Sequence, residues 1–252
     1  MENKNNKYVG GIIMKNKSII ESISEDYKVK DDYDYINTML AFDIFKNKIH
    51  GKEVLEIGCA DGIMSEQLVK YTKYLDIVEP SKNYYQLVKK NIKDIRNFFN
   101  CFLEELETNN KYDVILCAGI IHHIENPKNF LKVVGGFLNP NGVILATVPN
   151  ITSLHRRIGV RMGLLKDEYG DSERNKKFHQ FGRYDIDKFK TLFIDSGFKI
   201  LEYYGYMIKP FSSEIMARIK LNNKQIKAMF EIGKEFQNIS SQIFVAAKKY
   251  ND

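Results

Sequence analysis

Val54-Leu55-Glu56-Ile57-Gly58-Cys59-Ala60-Asp61-Gly62 decides how the rest of the chain is read. Val54, Leu55 and Ile57 make a short apolar strand interrupted by one acid, Glu56. The chain then turns through Gly58 and Gly62, and Met64, Leu68 and Val69 recur at helical spacing over residues 63–73. A buried strand, a glycine-punctuated turn and a helix form the first half of a nucleotide-binding βαβ unit. A second apolar run, residues 75–78, ends on Glu79, where a ribose-binding acid belongs.

The alternation continues outward from this corner. Ser81 caps a helix expected to run to about residue 95, and residues 97–102 read as a third strand. Glu104, Glu105 and Glu107 follow in a loop or helical turn. Tyr112-Asp113-Val114-Ile115-Leu116-Cys117 is a fourth strand running into Ala118-Gly119. Asn126-Pro127 opens a helix, with proline at its first position, and residues 139–142 compose a turn. Residues 143–148 make a fifth strand, 185–196 a helix, 198–204 a sixth strand and 242–248 a seventh. Strands alternating with helices argue for an α/β, doubly wound, mostly parallel sheet.

Two stretches break the alternation. Residues 150–184 are basic and irregular, and residues 206–240 are largely helical with Met207, Phe211, Met216, Met229 and Phe230. A long irregular segment inside a compact domain is usually functional or disordered. Upstream, residues 1–30 are polar and lysine-rich with an apolar patch at 9–14; their start is expected to be disordered and their end helical. Residues 32–48 carry an amphipathic helix pattern. Tyr27, Tyr33 and Tyr35 are placed to reach a ligand, aromatic packing against the sheet being the ordinary alternative. Residues 1–50 therefore read as an N-terminal helical segment ahead of a domain at 51–252, with insertions at about 150–184 and 206–240.

Composition excludes several classes. The chain has 252 residues, 44% hydrophobic and 28% charged, and its formal net charge is +6. No apolar run approaches the roughly 20 residues of a membrane helix, and no signal-peptide pattern is present, so a cytoplasmic protein without membrane insertion is expected. Cys59, Cys101 and Cys117 are odd in number and suit a reducing compartment. No cysteine or histidine spacing offers a metal site, and no nucleic-acid signature is visible.

Three features select the nucleotide. The turn lacks the G-x-G-x-x-G glycines that a pyrophosphate requires. Glu56 is awkward beside a pyrophosphate but useful beside a ligand carrying an ammonium group and a sulfonium. No Lys-Ser or Lys-Thr follows, which excludes an ATP-type phosphate loop. Residues 53–62 with Glu79 resemble motifs I and II of the class I S-adenosyl-L-methionine (SAM)-dependent methyltransferases. Residues 112–119 followed by His123-Ile124-Glu125-Asn126-Pro127, and then residues 138–149, resemble that family's next landmarks. The resemblance covers about residues 36–205 and the C-terminal strand, and departs at Ala60, where the family commonly has glycine.

The resemblance implies a Rossmann-like sheet of seven strands, with the last strand antiparallel and inserted between strands five and six, under helical cap insertions. It implies SAM as methyl donor and S-adenosyl-L-homocysteine (SAH) as product. Gly58 would let the backbone pass the ligand's amino-acid part, with Cys59, Ala60 and Gly62 completing the turn, and Glu56 would hold its ammonium end. Glu79 would accept the ribose hydroxyls, and Pro80 with Ser81 would flank the adenine. Phe102, Leu103 and Glu104 would reach the adenine, and Cys117, Ala118 and Gly119 would lie under the sulfonium-bearing chain. Tyr27 joins these as a candidate cofactor contact.

The acceptor is expected after Pro149. A hydroxyl acceptor needs a base; His179 is the first candidate, with Tyr184 and Asn150 assisting and His155 beside them. His122 and His123 are further candidate bases: His123 matches a landmark position and is read as mainly structural, and His122 replaces an acid common there and could face the pocket. Arg156, Arg157, Arg161 and Arg183 form a basic cluster suited to an oxyanion. Residues 149–156 and 179–184 resemble a subgroup of small bacterial methyltransferases acting on sugars and surface-polysaccharide precursors. The leading expectation is thus an O-methyltransferase, monomeric or homodimeric, for a small polar, nucleotide- or phosphate-bearing acceptor in capsule biosynthesis. The alternatives are a methyltransferase for a lipophilic ring such as a quinone or polyketide, a non-catalytic SAM-binding module and, most remotely, a nicotinamide oxidoreductase.

Overall fold

The computed structural model describes residues 17–250; the apolar patch expected at 9–14 lies outside them. The elements are α1 (Lys17–Asp26), α2 (Asp34–Ile49), β1 (Glu53–Ile57), α3 (Ile63–Leu68), β2 (Tyr74–Val78), α4 (Lys82–Asn91), β3 (Asn97–Phe99), β4 (Tyr112–Ala118), α5 (Pro127–Gly136) and β5 (Leu138–Pro149). They continue as α6 (Leu154–Arg161), α7 (Glu173–Lys177), α8 (Ile186–Asp195), β6 (Phe198–Tyr206), α9 (Ser213–Arg218), α10 (Asn223–Glu235) and β7 (Gln242–Lys249). The strand order is β3-β2-β1-β4-β5-β7-β6. β1 to β5 pair in parallel, and β7 runs antiparallel to both β5 and β6. This is the Rossmann-like, seven-stranded, doubly wound α/β fold with its last strand reversed. No helix among the described residues is long and apolar enough to cross a membrane.

Strand alternation sorts the core into two layers. Leu55 and Ile57 of β1 and Ile115 and Cys117 of β4 face α5 and α8, where Phe130, Leu131, Phe189 and Phe193 are buried. Val54, Val114 and Leu116 face the other way, against Leu40, Phe45 and Ile49 of α2 and Met64 and Leu68 of α3. Each fully buried phenylalanine contributes about 2 kcal/mol of apolar burial. Helix starts follow local chemistry: Ser81, Asn126 and Asp185 accept the backbone N–H of Tyr84, Asn129 and Lys188.

Several elements differ in extent from the sequence expectation. The helix after β1 stops at Leu68, and α4 stops at Asn91. β3 ends at Phe99 because the Asn100 side chain turns back to donate to the carbonyl oxygens of Glu79 and Pro80. β5 begins at Leu138 rather than Val143. The pairing jumps from Tyr112–Leu138 to Val114–Val143, so the expected turn at 139–142 is a wide bulge inside the strand. Gly142 passes against the Tyr112 carbonyl, where a Cβ would lie 2.7 Å from the oxygen.

The topology sets the site. The chain winds out through β2 and β3, then returns across to β4, which leaves a crevice at the C-terminal ends of β1 and β4. Helix α10 comes so close to the end of β6 that a Cβ on Gly233 would sit 2.1 Å from the Met207 nitrogen. That approach holds residues 207–213 over the crevice.

Candidate active site

A cavity of about 970 Å³ occupies this crevice. Its floor is the turn after β1, with Gly58, Ala60 and Gly62 all in the left-handed region at φ of 76°, 45° and 86°. Glycine adopts this without strain, whereas Ala60 does so against its Cβ. At Gly58 a Cβ would press on Ile120 at 3.2 Å.

Two buried acids face this turn. Glu79 accepts hydrogen bonds from the backbone N–H of Cys59 (3.0 Å) and Ala60 (3.3 Å) on one oxygen and of Ser81 (2.8 Å) on the other. Glu56 accepts from the Ser65 hydroxyl at 2.5 Å. Burial raises Glu56 to about 8, with the Ser65 hydrogen bond opposing and the Glu79 charge adding. Burial likewise raises Glu79 to about 7 against the three backbone donors. Two carboxyls in one pocket with raised pKa values favour a ligand that brings a positive charge. Pro80, Phe102, Leu103 and Glu104 complete one wall, and Ala118, Gly119 and Ile120 the other. Tyr27 and α1 cover the top, where Ile20 and Ile23 point inward. Cys59 lies on the wall, its thiol 3.7 Å from Glu79. Cys117 is instead sealed in the core, and Gly62 shapes the turn without lining the cavity.

The other half of the cavity is built from α2, the turn after β4 and the two insertions. Asn150, His155 and Arg156 line it, among Ile151, Ile158, Leu164 and Leu165. Asn150 is buried and accepts from the Thr152 N–H and hydroxyl. His155 Nδ1 lies 3.0 Å from the Ser153 hydroxyl, and burial, with the Lys209 and Arg156 charges, pushes its pKa well down. His179 and Tyr184 are not in the wall. His179 is exposed at a left-handed turn with φ of 47°. Tyr184 is buried against Phe189, and its backbone bridges to Asn150.

Three arginines of the cluster are engaged within the insertion. Arg156 donates to the Glu168 and Gly170 carbonyls and to Asn175 Oδ1. Arg183 donates to the Gln180 carbonyl and pairs with Asp171, and Arg157 donates to the Thr152 carbonyl. These contacts stitch residues 150–184 into a cap.

Asp34 and Arg174 emerge as wall residues only in three dimensions, and His122 and Lys209, each visible in the sequence, stand beside them. Asp34 accepts from the Tyr27 hydroxyl (2.7 Å) and Asn37 and pairs with Arg174 (2.6 Å), which also grips Asp32. Arg174 and Asp34 are 140 residues apart, so their pairing has no local signal. His122 lines the cavity with an Nδ1 that is buried and has no partner among the described residues. Burial first, and then nearby His123, Arg183 and Arg174, hold His122 neutral at physiological pH. Lys209 is 6% exposed and donates to the Ser213 hydroxyl at 2.9 Å. Burial lowers it to about 8 while the Asp34 charge pulls it up. A lysine between Ile208 and Pro210 in an otherwise apolar run was the signal for it.

The sequence profile described as "Methyltransferase domain" matches residues 31–203. The chain belongs to this methyltransferase family. The methyltransferase is similar to the ubiquinone biosynthesis O-methyltransferase of Rickettsia felis, at 23% identity over 67% of this chain and 69% of that one. It is also similar to the enzyme of that name from Rickettsia typhi, at 23% identity over 78% and 79%. Among solved structures it resembles the plantazolicin methyltransferase BpumL in complex with SAH (TM-score 0.56, 18% identity, 95% and 92% covered). It likewise resembles the N-methyltransferase NodS from Bradyrhizobium japonicum WM9 in complex with SAH (TM-score 0.59, 13% identity, 93% and 98% covered). The methyltransferase is SAM-dependent; the glycine-shaped turn and buried Glu56 fit that donor's cationic amino-acid end, and the acceptor oxygens of Glu79 fit its ribose hydroxyls. The expected polysaccharide subgroup finds no support among these relatives, and the two Rickettsia enzymes carry the name of a quinone pathway instead.

Proposed function

We propose that this methyltransferase transfers a methyl group from SAM to a hydroxyl oxygen on an apolar ring, the lipophilic-ring alternative rather than a nucleotide- or phosphate-bearing sugar. The observation that carries this reading is the composition of the acceptor half. Ile151, Ile158, Leu164 and Leu165 line it, while Arg156 and Arg183, the residues suited to a phosphate, are occupied by the cap's own carbonyls and Asp171. The names of the curated relatives support the same direction.

Bound SAM supplies a methyl group already activated by its positive sulfur. The protein's part is to place the acceptor, exclude water and take the hydroxyl proton. Gly58, Glu56 and Glu79 would hold the donor, with Phe102 to Glu104 and Tyr27 beside its ring system. His122 would accept the proton. It stands on the short helical turn Ile121–His123, three residues beyond Gly119, and its ring is neutral, as a base must be. His155, steadied by Ser153, would orient the acceptor.

The test is methyl transfer in vitro with SAM, read as a one-methyl mass gain. The panel contains catechol, an alkylcatechol, a UDP-sugar and a sugar phosphate. Methylation of a catechol supports the reading; methylation confined to the UDP-sugar or sugar phosphate sinks it.

A further inference from the structure

Lys209 lines the cavity and takes no part in the donor contacts proposed above. Its ammonium has three donors, and its one hydrogen bond among the described residues is to Ser213. No carboxylate oxygen of the described residues comes within 4.0 Å of it. Asp34 attracts it electrostatically, yet that carboxylate is already taken by Arg174, Tyr27 and Asn37. The Tyr33 ring lies under the ammonium at 5.3 Å and offers only a weak, non-ionic partner. A buried ammonium without a counter-ion is costly, so its retention at a cavity wall points to a partner that arrives with the ligand.

We infer that Lys209 and Ser213 form an anion subsite in the acceptor pocket, and that the acceptor carries a carboxylate as well as the hydroxyl to be methylated. This rests on the reading that the acceptor binds in this half of the cavity. A single lysine with one hydroxyl matches a carboxylate. A phosphate or diphosphate would call for the forked arginine contacts that Arg156 and Arg183 make elsewhere. The apolar wall then takes the ring.

Binding of 3,4-dihydroxybenzoate and 3,4-dihydroxybenzamide to the SAH-saturated full chain isolates the carboxylate, since both rings carry the same hydroxyls. Calorimetry should find the benzoate bound about tenfold more tightly or better, the worth of a charge-assisted hydrogen bond. Lys209→Met should erase that preference with SAH affinity retained, and Ser213→Ala should reduce it. Equal affinities, no binding of the benzoate, or a preference that survives Lys209→Met overturns the inference. If Lys209→Met does not fold, the wild-type preference and its reduction in Ser213→Ala decide. Absence of methyl transfer to either compound would count against the proposed hydroxyl acceptor while the binding preference still stood or fell by itself.

Discussion

The carboxylate of Glu79 accepts the backbone N–H of Cys59 at 3.0 Å, so the acid that ends β2 holds the turn that ends β1. With Ala60 and Ser81 on the same carboxylate, the donor site is partly assembled before a ligand enters. The arrangement is poised: Glu79 and Glu56 sit in one pocket with pKa values of about 7 and about 8.

Affinity for SAH should therefore rise with pH. Both folded-state pKa values lie above the ordinary carboxyl value, so the empty fold binds protons that the unfolded chain has released. Its stability is greatest below the ordinary value and declines as pH rises through about 7 and 8. A ligand ammonium selects the ionised Glu56, and ribose hydroxyls donate to the ionised Glu79. Calorimetric affinity should increase from about pH 6 to about pH 8, by at most about tenfold per pH unit for each group. Glu56→Gln should flatten the profile and weaken binding.

Ala60 should tolerate, and profit from, glycine. It holds φ of 45°, a conformation costing a residue with a Cβ about 1 kcal/mol or more. Ala60→Gly should raise the stability of the apo protein by up to about 1 kcal/mol in chemical denaturation. A loss of stability would show that the Cβ packs usefully.

Arg174 joins the N-terminal segment to the cap. It pairs with Asp32 at 3.0 Å and Asp34 at 2.6 Å, and the Tyr27 and Phe178 rings meet beside it at 5.1 Å. Burial works against the Asp34 carboxylate, but Arg174 and the Tyr27 hydroxyl hold its pKa below the ordinary value. The stability this confers is present above the ordinary aspartate value and lost as pH falls through the lower folded one. Arg174→Met should cost about 2–3 kcal/mol at neutral pH by leaving Asp34 without its counter-ion. It should also weaken SAH binding, because Tyr27 covers the half of the cavity proposed for that ligand.

The base assignment separates two histidines. His122→Asn should lower kcat by about 10²–10⁴ with SAH affinity intact. His179→Ala should leave kcat unchanged, since His179 is exposed and off the cavity wall. Because His122 is already neutral at physiological pH, its protonation should not limit the rate between about pH 6 and about pH 8.

Local chemistry made much of this protein legible in the sequence. The apolar strands, the glycines at 58 and 62 and the caps at Ser81, Asn126 and Asp185 follow from short-range pattern, and the acids at 56 and 79 stand at fixed offsets from that turn within one βαβ unit. Their spacing alone specifies a βαβ corner and a donor without a pyrophosphate. The acceptor site was decided elsewhere. Asp34 meets Arg174, Lys209 is held over the crevice by the fit of Gly233 against Met207, and His122 is chosen over His179 by which ring lines the cavity. Those relations depend on long-range packing of the two insertions against α2 and the turn after β4, and local spacing does not say which side chains meet there. The arginines show the same limit: their basic spacing suggests an oxyanion clamp, but only the fold reveals that Arg156 and Arg183 already donate to the cap's own carbonyls and side chains. Short-range spacing therefore determined the methyl donor, and tertiary contact decided what can stand opposite it.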